Sequence, residues 1–321
     1  MLNTPDARLQ RALASLEGLS VGDAFGEGFF MSFELAVRLM ESGQFEGPPY
    51  DFEDEGAIAQ LIGKRDISFI ETPWRWTDDT AMALEIVANL REFGEINPDA
   101  LARGFARRYE ATSLRAYGAG MHDLLPKLET ADWRDEAGAL FGGTGSFGNG
   151  SAMRAAPIGA YFADDPEAAA RNAALSSIVT HSHPEGVAGA VAVAMAACFA
   201  AQQAENPRTK RQFISDILPF LEDSEVKDSV RHARGALEEP FAVVVPFLGN
   251  GSSISAPDTV PFCLWCAAHQ LDDFEQAMWL TVAGLGDRDT TCAIVGGIVA
   301  ARVGTDGIPA EWREKREDFT L

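Results

Sequence analysis

The chain has 321 residues, 46% of them hydrophobic, with 48 acidic against 26 basic side chains and a formal net charge of −22. That composition builds a globular core and excludes wholesale disorder; the charge repels nucleic acid and anionic membranes, because the densest basic piece, "NPRTKRQ", reads as a solvated turn. Cys198, Cys263, Cys266 and Cys292 all lie in apolar stretches and fit reduced core thiols of a cytoplasmic protein better than a disulfide frame.

The opening stretch, "MLNTPDARLQRALASLEGL", carries charges throughout and lacks the apolar core of a signal peptide. Leu9, Leu13 and Leu16 recur at helical spacing and predict a first helix. Gly18, Gly22 and Gly26 follow at four-residue intervals, a stripe that lets another helix approach closely. Asp23 sits inside this small-residue run and needs a partner if it is buried. Phe33, Val37 and Met40 predict a second helix, and "SGQFEGPPYDFEDEG" an acidic loop. Met82, Ile86 and Leu90 line a third helix, and Leu101, Phe105 and Tyr109 a fourth.

Further helices fit residues 166–179, 186–204, 210–221, 224–237, 260–269, 272–283 and 290–303. "GVAGAVAVAMAACFAA" is Ala-rich and shorter than the ~20 residues a bilayer needs, so it reads as a buried core helix. "FAVVVPFL" is the best β-like run, but Pro246 makes it a poor central strand. "CLWC" lacks a second pair or a nearby histidine for zinc, and reads as one face of a helix. No repeat and no linker divides the chain. The expectation is an all-α fold, a single domain over 1–321.

"RWTDDTAMAL" places Asp78 and Asp79 together between Thr77 and Thr80 where a helix begins. A helix start offers unpaired N–H groups and a positive dipole end, which offsets the burden of one carboxylate but not of a second. "GLGDRDTTCAIVGG" repeats the device, with Asp287 and Asp289 ahead of Thr290, Thr291 and another apolar helix. A bound cation would let four carboxylates sit close together. Hard oxygen donors without a His or Cys cluster favour magnesium or manganese over zinc. The alternative is that each pair caps its own helix, with Arg75 or Arg288 as counter-ion.

"GGTGSFGNGSAMRAAPIG" contains a formal GxGxxG from Gly143 to Gly148, but no convincing strand precedes it, which argues against a dinucleotide fingerprint. Its bare backbone still lets N–H groups approach phosphate oxygens, with Ser146 and Asn149 adding polar contacts and Phe147 a face for a ribose or base. His181 and His183, in "THSHPEG", are expected to hydrogen-bond or cap a helix rather than hold a metal.

Taken in order, "GDAFG", "WTDDTAM", "GNGSAMRAAPIG", "TH" and "DRDTTCAIVGGI" resemble the motifs of the ADP-ribosylglycohydrolase family, which includes dinitrogenase reductase-activating glycohydrolase. The resemblance spans residues 18 to about 304. It implies an all-α fold around two Mg2+ ions, or Mn2+ in their place. By matching position, Thr77, Asp78, Asp79, Asp287, Asp289 and Thr290 would be the metal ligands, and Asp79 or Asp289 would take a proton from water. Ser146, Phe147, Gly148, Asn149 and Gly150 would cradle the diphosphate and distal ribose, with Met153, Arg154 and His181 lining or bracing the same pocket and Asp23 supporting it.

The implied activity is hydrolysis of the bond between ADP-ribose and a protein side chain or small-molecule acceptor. The alternative is a relative that binds ADP-ribose without cleaving it. Four positions depart from the family pattern. Phe30 stands where a glutamate is common, Phe147 where a tyrosine is common, and Leu285 and Arg288 alter the last acidic motif. Glu27 is the acid nearest to position 30. Reading "DRDTT" as a phosphatase nucleophile motif fails on context, since that motif follows a strand and this one precedes a helix.

Overall fold

The computed structural model describes residues 4–30 and 55–321. The helix expected at Phe33, Val37 and Met40, and nearly all of the acidic loop after it, lie outside the described residues. Sixteen α-helices and no β-strand are found among the described residues. The first half of the chain forms α1 (Pro5–Glu27), α2 (Glu55–Lys64), α3 (Asp78–Phe93), α4 (Pro98–Thr112), α5 (Ala119–Leu124), α6 (Trp133–Gly143), α7 (Ala156–Tyr161) and α8 (Pro166–Ile178). The second half forms α9 (Pro184–Ala201), α10 (Lys210–Ile217), α11 (Glu225–Gly235), α12 (Phe241–Leu248), α13 (Ala256–His269), α14 (Phe274–Val282), α15 (Arg288–Val303) and α16 (Ala310–Lys315).

Helix starts fall where short polar side chains satisfy the first N–H groups. Thr4, Thr77, Asn97, Asp132, Asp165, Ser224 and Asp273 each accept from a backbone N–H one turn in, and Thr209 with Gln212 forms a reciprocal box. His183 caps α9 through its ring, accepting from Glu185 N. The capping role expected of this histidine is thus met.

Two packing features set up the site. The first is the glycine stripe of α1, which lies against the backbone of α15. A Cβ on Gly18 would meet Gly296 O at 2.5 Å, on Gly22 Cys292 O at 2.2 Å, and on Gly26 Arg288 O at 2.2 Å. No side chain fits at these points, so the two helices run in backbone contact. The second is an aromatic cluster that holds the segment before α3. Phe25 stacks on Trp312 at 4.6 Å between ring centroids and meets Trp279 edge-on at 5.1 Å, and Trp74 packs against both Phe25 and Trp312.

Helix α9 is long and apolar enough to cross a membrane, but here it is enclosed: every residue from Ala188 to Ala200 is buried, with α7, α8, α13 and α15 packed around it. The β-like run "FAVVVPFL" forms α12. Pro246 lies near the helix end, where its missing N–H removes only one ladder bond. A lone strand would have found no partner among the surrounding helices. All four cysteines are buried free thiols, and Cys263 and Cys266 share α13 as expected.

Candidate active site

The strand-like segment Trp74–Trp76 delivers Thr77 to the start of α3, directly over Asp23 in the middle of α1. Asp23 is fully buried and accepts from Thr77 N (2.9 Å), Thr77 Oγ1 (2.9 Å), Thr80 N (3.1 Å) and Thr80 Oγ1 (2.5 Å). It answers for two of the N–H groups that the α3 start would otherwise leave orphaned. Thr77 Oγ1 also bonds Asp79 Oδ2 at 2.9 Å, so the carboxylates of α1 and α3 are tied through one hydroxyl.

The glycine contact between α1 and α15 brings the second acidic motif to the same place. Asp23, Asp79 and Asp289 each present an oxygen, all three within 4.8 Å of one another. Burial pushes the Asp79 and Asp289 carboxyls well above the ordinary range, and the neighbouring acids push them further. Asp78 is raised for the same reasons, with Asp23 and Asp287 adding to burial. Asp23 rises to about 6 by burial, which its four hydrogen bonds only partly oppose, and Glu27 at the end of α1 rises to about 7.

One oxygen each of Asp79 and Asp289 is buried without a hydrogen-bond partner. Two orphaned carboxylate oxygens in a crowded anionic cluster are what a cation would satisfy, so the residues present fit a divalent metal. Thr77 spends its hydroxyl on Asp23 and Asp79, and Asp287 Oδ2 accepts from Asn149 Nδ2 at 2.7 Å.

Above the acids opens a pocket of about 450 Å3, within the range of small-molecule sites. Asp78, Asp287, Asp289 and Thr290 form its acidic floor, while Asp79 stands behind it in the protein. Ser146, Phe147, Gly148, Asn149, Gly150, Met153 and His181 line the pocket too. Gly145 and Gly150 of this loop are required by space. A Cβ on Gly145, whose φ is +76°, would strike Ser182 Oγ at 2.3 Å, and one on Gly150 would reach the His181 ring at 2.9 Å.

Arg154 does not reach the pocket. Its guanidinium is buried beneath the loop, donating to Gly150 O (3.2 Å), Ser176 O (2.9 Å) and Thr180 Oγ1 (2.8 Å), over the Phe105 ring at 4.5 Å. Thr180 Oγ1 in turn lies 2.7 Å from His181 Nδ1. An arginine can only donate, so the arrangement that leaves no group idle has the Thr180 hydroxyl donating to Nδ1. His181 then keeps its proton on Nε2, facing Gly148 and Gly150. Burial, with Arg154 adding to it, lowers the His181 pKa to about 3, so the ring is neutral at any working pH. Phe147, 46% exposed, offers its ring at the rim next to His183.

The remaining lining residues carried no sequence signal as site residues. Met82, Ala116, the start of α5 from Gly118 to Met121, Phe141, Ser253 and Ile254 complete the walls. Ala116, Phe141 and Ile254 have positive φ (60°, 51° and 51°), and for β-branched Ile254 this is a sterically opposed conformation. The loop holding Ile254 also ties the glycine loop to α15. Ile254 O accepts from Asn149 N at 3.4 Å, and Asn250 O accepts from Asp287 N at 3.3 Å. Arg288 lays its guanidinium over the Phe30 ring at 4.2 Å and opposes the rise of the Glu27 carboxyl.

An all-helical protein in which two acid-bearing helix starts converge under a glycine loop is of the ADP-ribosylglycohydrolase class. The family model of that description matches residues 4–321, and the chain belongs to that family. Among particular proteins it is similar to ADP-ribosylhydrolase ARH3 of Homo sapiens, 30% identical over 281 residues that cover 76% of this chain and 75% of that one. It is also similar to an ADP-ribosylarginine hydrolase of Pseudomonas putida (strain GB-1), 25% identical over 97% of this chain and 76% of the relative. A solved ADP-ribosylglycohydrolase-related protein complex shares the fold, with a TM-score of 0.63 at 23% identity, covering 97% of this chain and 93% of its own.

Proposed function

We propose that the protein is a metal-dependent ADP-ribosylhydrolase that cleaves the glycosidic bond between ADP-ribose and a modified side chain or related acceptor. The observation that carries this reading is the buried triad of Asp23, Asp79 and Asp289, with two orphaned oxygens, beneath a glycine-loop pocket in a member of this family. Asp78, Asp79, Asp287 and Asp289, with Thr77 and Thr290, would hold two Mg2+ or Mn2+ ions. When bound, such ions supply charge that orients ribose hydroxyls and acidifies water.

The chain's own residues do the rest. The Gly150 N–H, the Ser146 hydroxyl and the Nε2–H of His181 receive the diphosphate, and Asn149 couples that loop to Asp287. Water attacks the anomeric carbon of the proximal ribose while the bond to the acceptor breaks. One water proton passes to a carboxylate, which hands it on to the departing nitrogen or oxygen of the acceptor, while the water's hydroxyl stays on the anomeric carbon. Asp289 reaches the pocket and takes that proton; Asp79, one layer deeper, accepts from the Thr77 hydroxyl and fixes the start of α3. The four free thiols support a reducing, cytoplasmic setting.

The test is to incubate the protein with arginine-linked and serine-linked ADP-ribosylated peptides, with magnesium, manganese or chelator, and to quantify free ADP-ribose. Metal-dependent release from one peptide supports the reading and names the linkage, and Asp79→Asn is expected to abolish it with helical content unchanged. Tight ADP-ribose binding without release under any metal would replace the hydrolase with a binding protein.

A further inference from the structure

The start of α3 is held from behind by a residue pair that does not itself line the pocket. The first N–H groups of α3 are all accounted for: Asp79 N reaches Thr77 Oγ1, Thr80 N reaches Asp23, and Asp78 N donates to Arg115 O at 2.7 Å. Arg115 therefore sets the position of Asp78 through its carbonyl. The residue after it, Ala116, lines the pocket in a left-handed conformation.

The Arg115 side chain is itself clamped. Its guanidinium stacks over the Trp76 ring at 3.7 Å and donates to Trp76 O at 2.9 Å, one residue before Thr77. Its two terminal nitrogens then meet the two carboxylate oxygens of Glu317 at 2.6 and 2.7 Å, a paired geometry with both side chains largely sheltered. Glu317 is fixed in turn: its N–H donates to Trp74 O at 2.9 Å, and Trp74 N donates to Lys315 O at 2.7 Å. Arg316 between them reaches Glu17 on α1 at 3.0 Å. The segment after α16 thus lies alongside Trp74–Trp76 and grips both ends of the turn that presents Asp78 and Asp79.

We propose that Glu317 and Arg115 are positioning residues for the metal site, a clamp by which the segment after α16 sets the placement of Asp78 and Asp79. An isolated surface ion pair would be worth little. This one carries three further constraints on the same guanidinium and backbone, and each leads to the residue before Thr77 or to Asp78 itself. The inference rests on the metal reading of the acidic cluster, but not on which bond is cleaved.

The experiment titrates Mn2+ by calorimetry into the full chain, as wild type, E317A, E317Q and R115K, alongside the melting temperature of each in chelator and the split of kcat and KM. Loss of a group that orients a metal ligand weakens binding by about 10–100-fold. E317A is expected to lie in that range, with kcat falling more than KM rises. E317Q, which keeps one of the two acceptors, is expected to lie between E317A and wild type, as is R115K, so the test survives an E317A that does not fold. Metal affinity unchanged in all three variants, with a lowered melting temperature in chelator, would make the pair purely structural and overturn the proposal. Wild type that binds Mn2+ more tightly than the variants but releases no ADP-ribose would retain the clamp and reject the hydrolase. Wild type that binds no metal would overturn both.

Discussion

Replacing Gly22 by alanine separates the packing of the long helices from the chemistry they carry. The new methyl would lie 2.2 Å from Cys292 O, 2.8 Å from the same carbonyl carbon and 3.2 Å from Met278 Sδ. Ordinary contact begins near 3.4 Å, so α1 and α15 have to part by about 1.2 Å, and no rotamer change relieves a clash with backbone. Overpacking of this kind destabilises by about 1–3 kcal/mol, of which alanine's helix propensity offsets about 1. The net loss of up to about 2 kcal/mol corresponds to a fall of up to about 3 °C in melting temperature for a chain of this size.

Activity is expected to suffer more, because Asp23 follows Gly22 directly and Asp289 lies one helical turn before Cys292. A displacement of about 1 Å in such a site lowers turnover by on the order of 100-fold. Calorimetry and ADP-ribose release on Gly22→Ala, with Gly138→Ala as the control where a Cβ meets nothing, check both parts. A Gly22→Ala protein with unchanged melting temperature and full turnover would refute the backbone contact and the account of how the acids are brought together.

Asp289→Asn removes one of the crowded buried carboxylates. Its metal-free form is expected to melt above wild type, while the rise in melting temperature on adding Mn2+ disappears and turnover falls about 10²–10⁴-fold. The pH dependence follows from the raised carboxyls. Asp23 at about 6 and Glu27 at about 7 hold protons in the folded state that the unfolded chain has already released, so metal-free stability falls as pH rises through these values. Scanning in chelator is expected to give a higher melting temperature at pH 5.5 than at pH 8, and Mn2+ to stabilise more at pH 8; the reverse order in chelator would contradict the buried-cluster account. Arg154→Lys cannot span Gly150 O, Ser176 O and Thr180 Oγ1 together, so KM is expected to rise about 10-fold with Mn2+ affinity unchanged. An unchanged KM would mean that Arg154 does not brace the loop.

Much of the fold was legible because a helix is a local object. The spacing of Met82, Ile86 and Leu90 names the buried face of α3, and Thr77 names its start. "FAVVVPFL" misled because β-branched residues favour strands only where a neighbouring strand exists, and here helices surround it. The four acids of "WTDDT" and "DRDTT" stood out as pairs that helix capping alone could not account for. The glycine stripe of α1 announced a close helix contact, though not its partner.

Spacing along the chain could not reveal which residues meet. Asp23 read as a support and proves to be the centre of the hydrogen bonding, because α3 begins directly over it. Asp78 and Asp79 are neighbours in sequence, yet one faces the pocket and the other lies behind it, since successive side chains on a helix point about 100° apart. Ile254, Ala116 and the Arg115–Glu317 pair left no trace in sequence, because their roles come from backbone strain and from contacts across the whole chain. The sequence by itself determined the helices, the acidic motifs and the family they belong to, since these are written in local periodicity and residue type. Only the tertiary structure decided that α1 and α15 touch backbone to backbone, and that contact is what gathers acids more than 200 residues apart into one buried site.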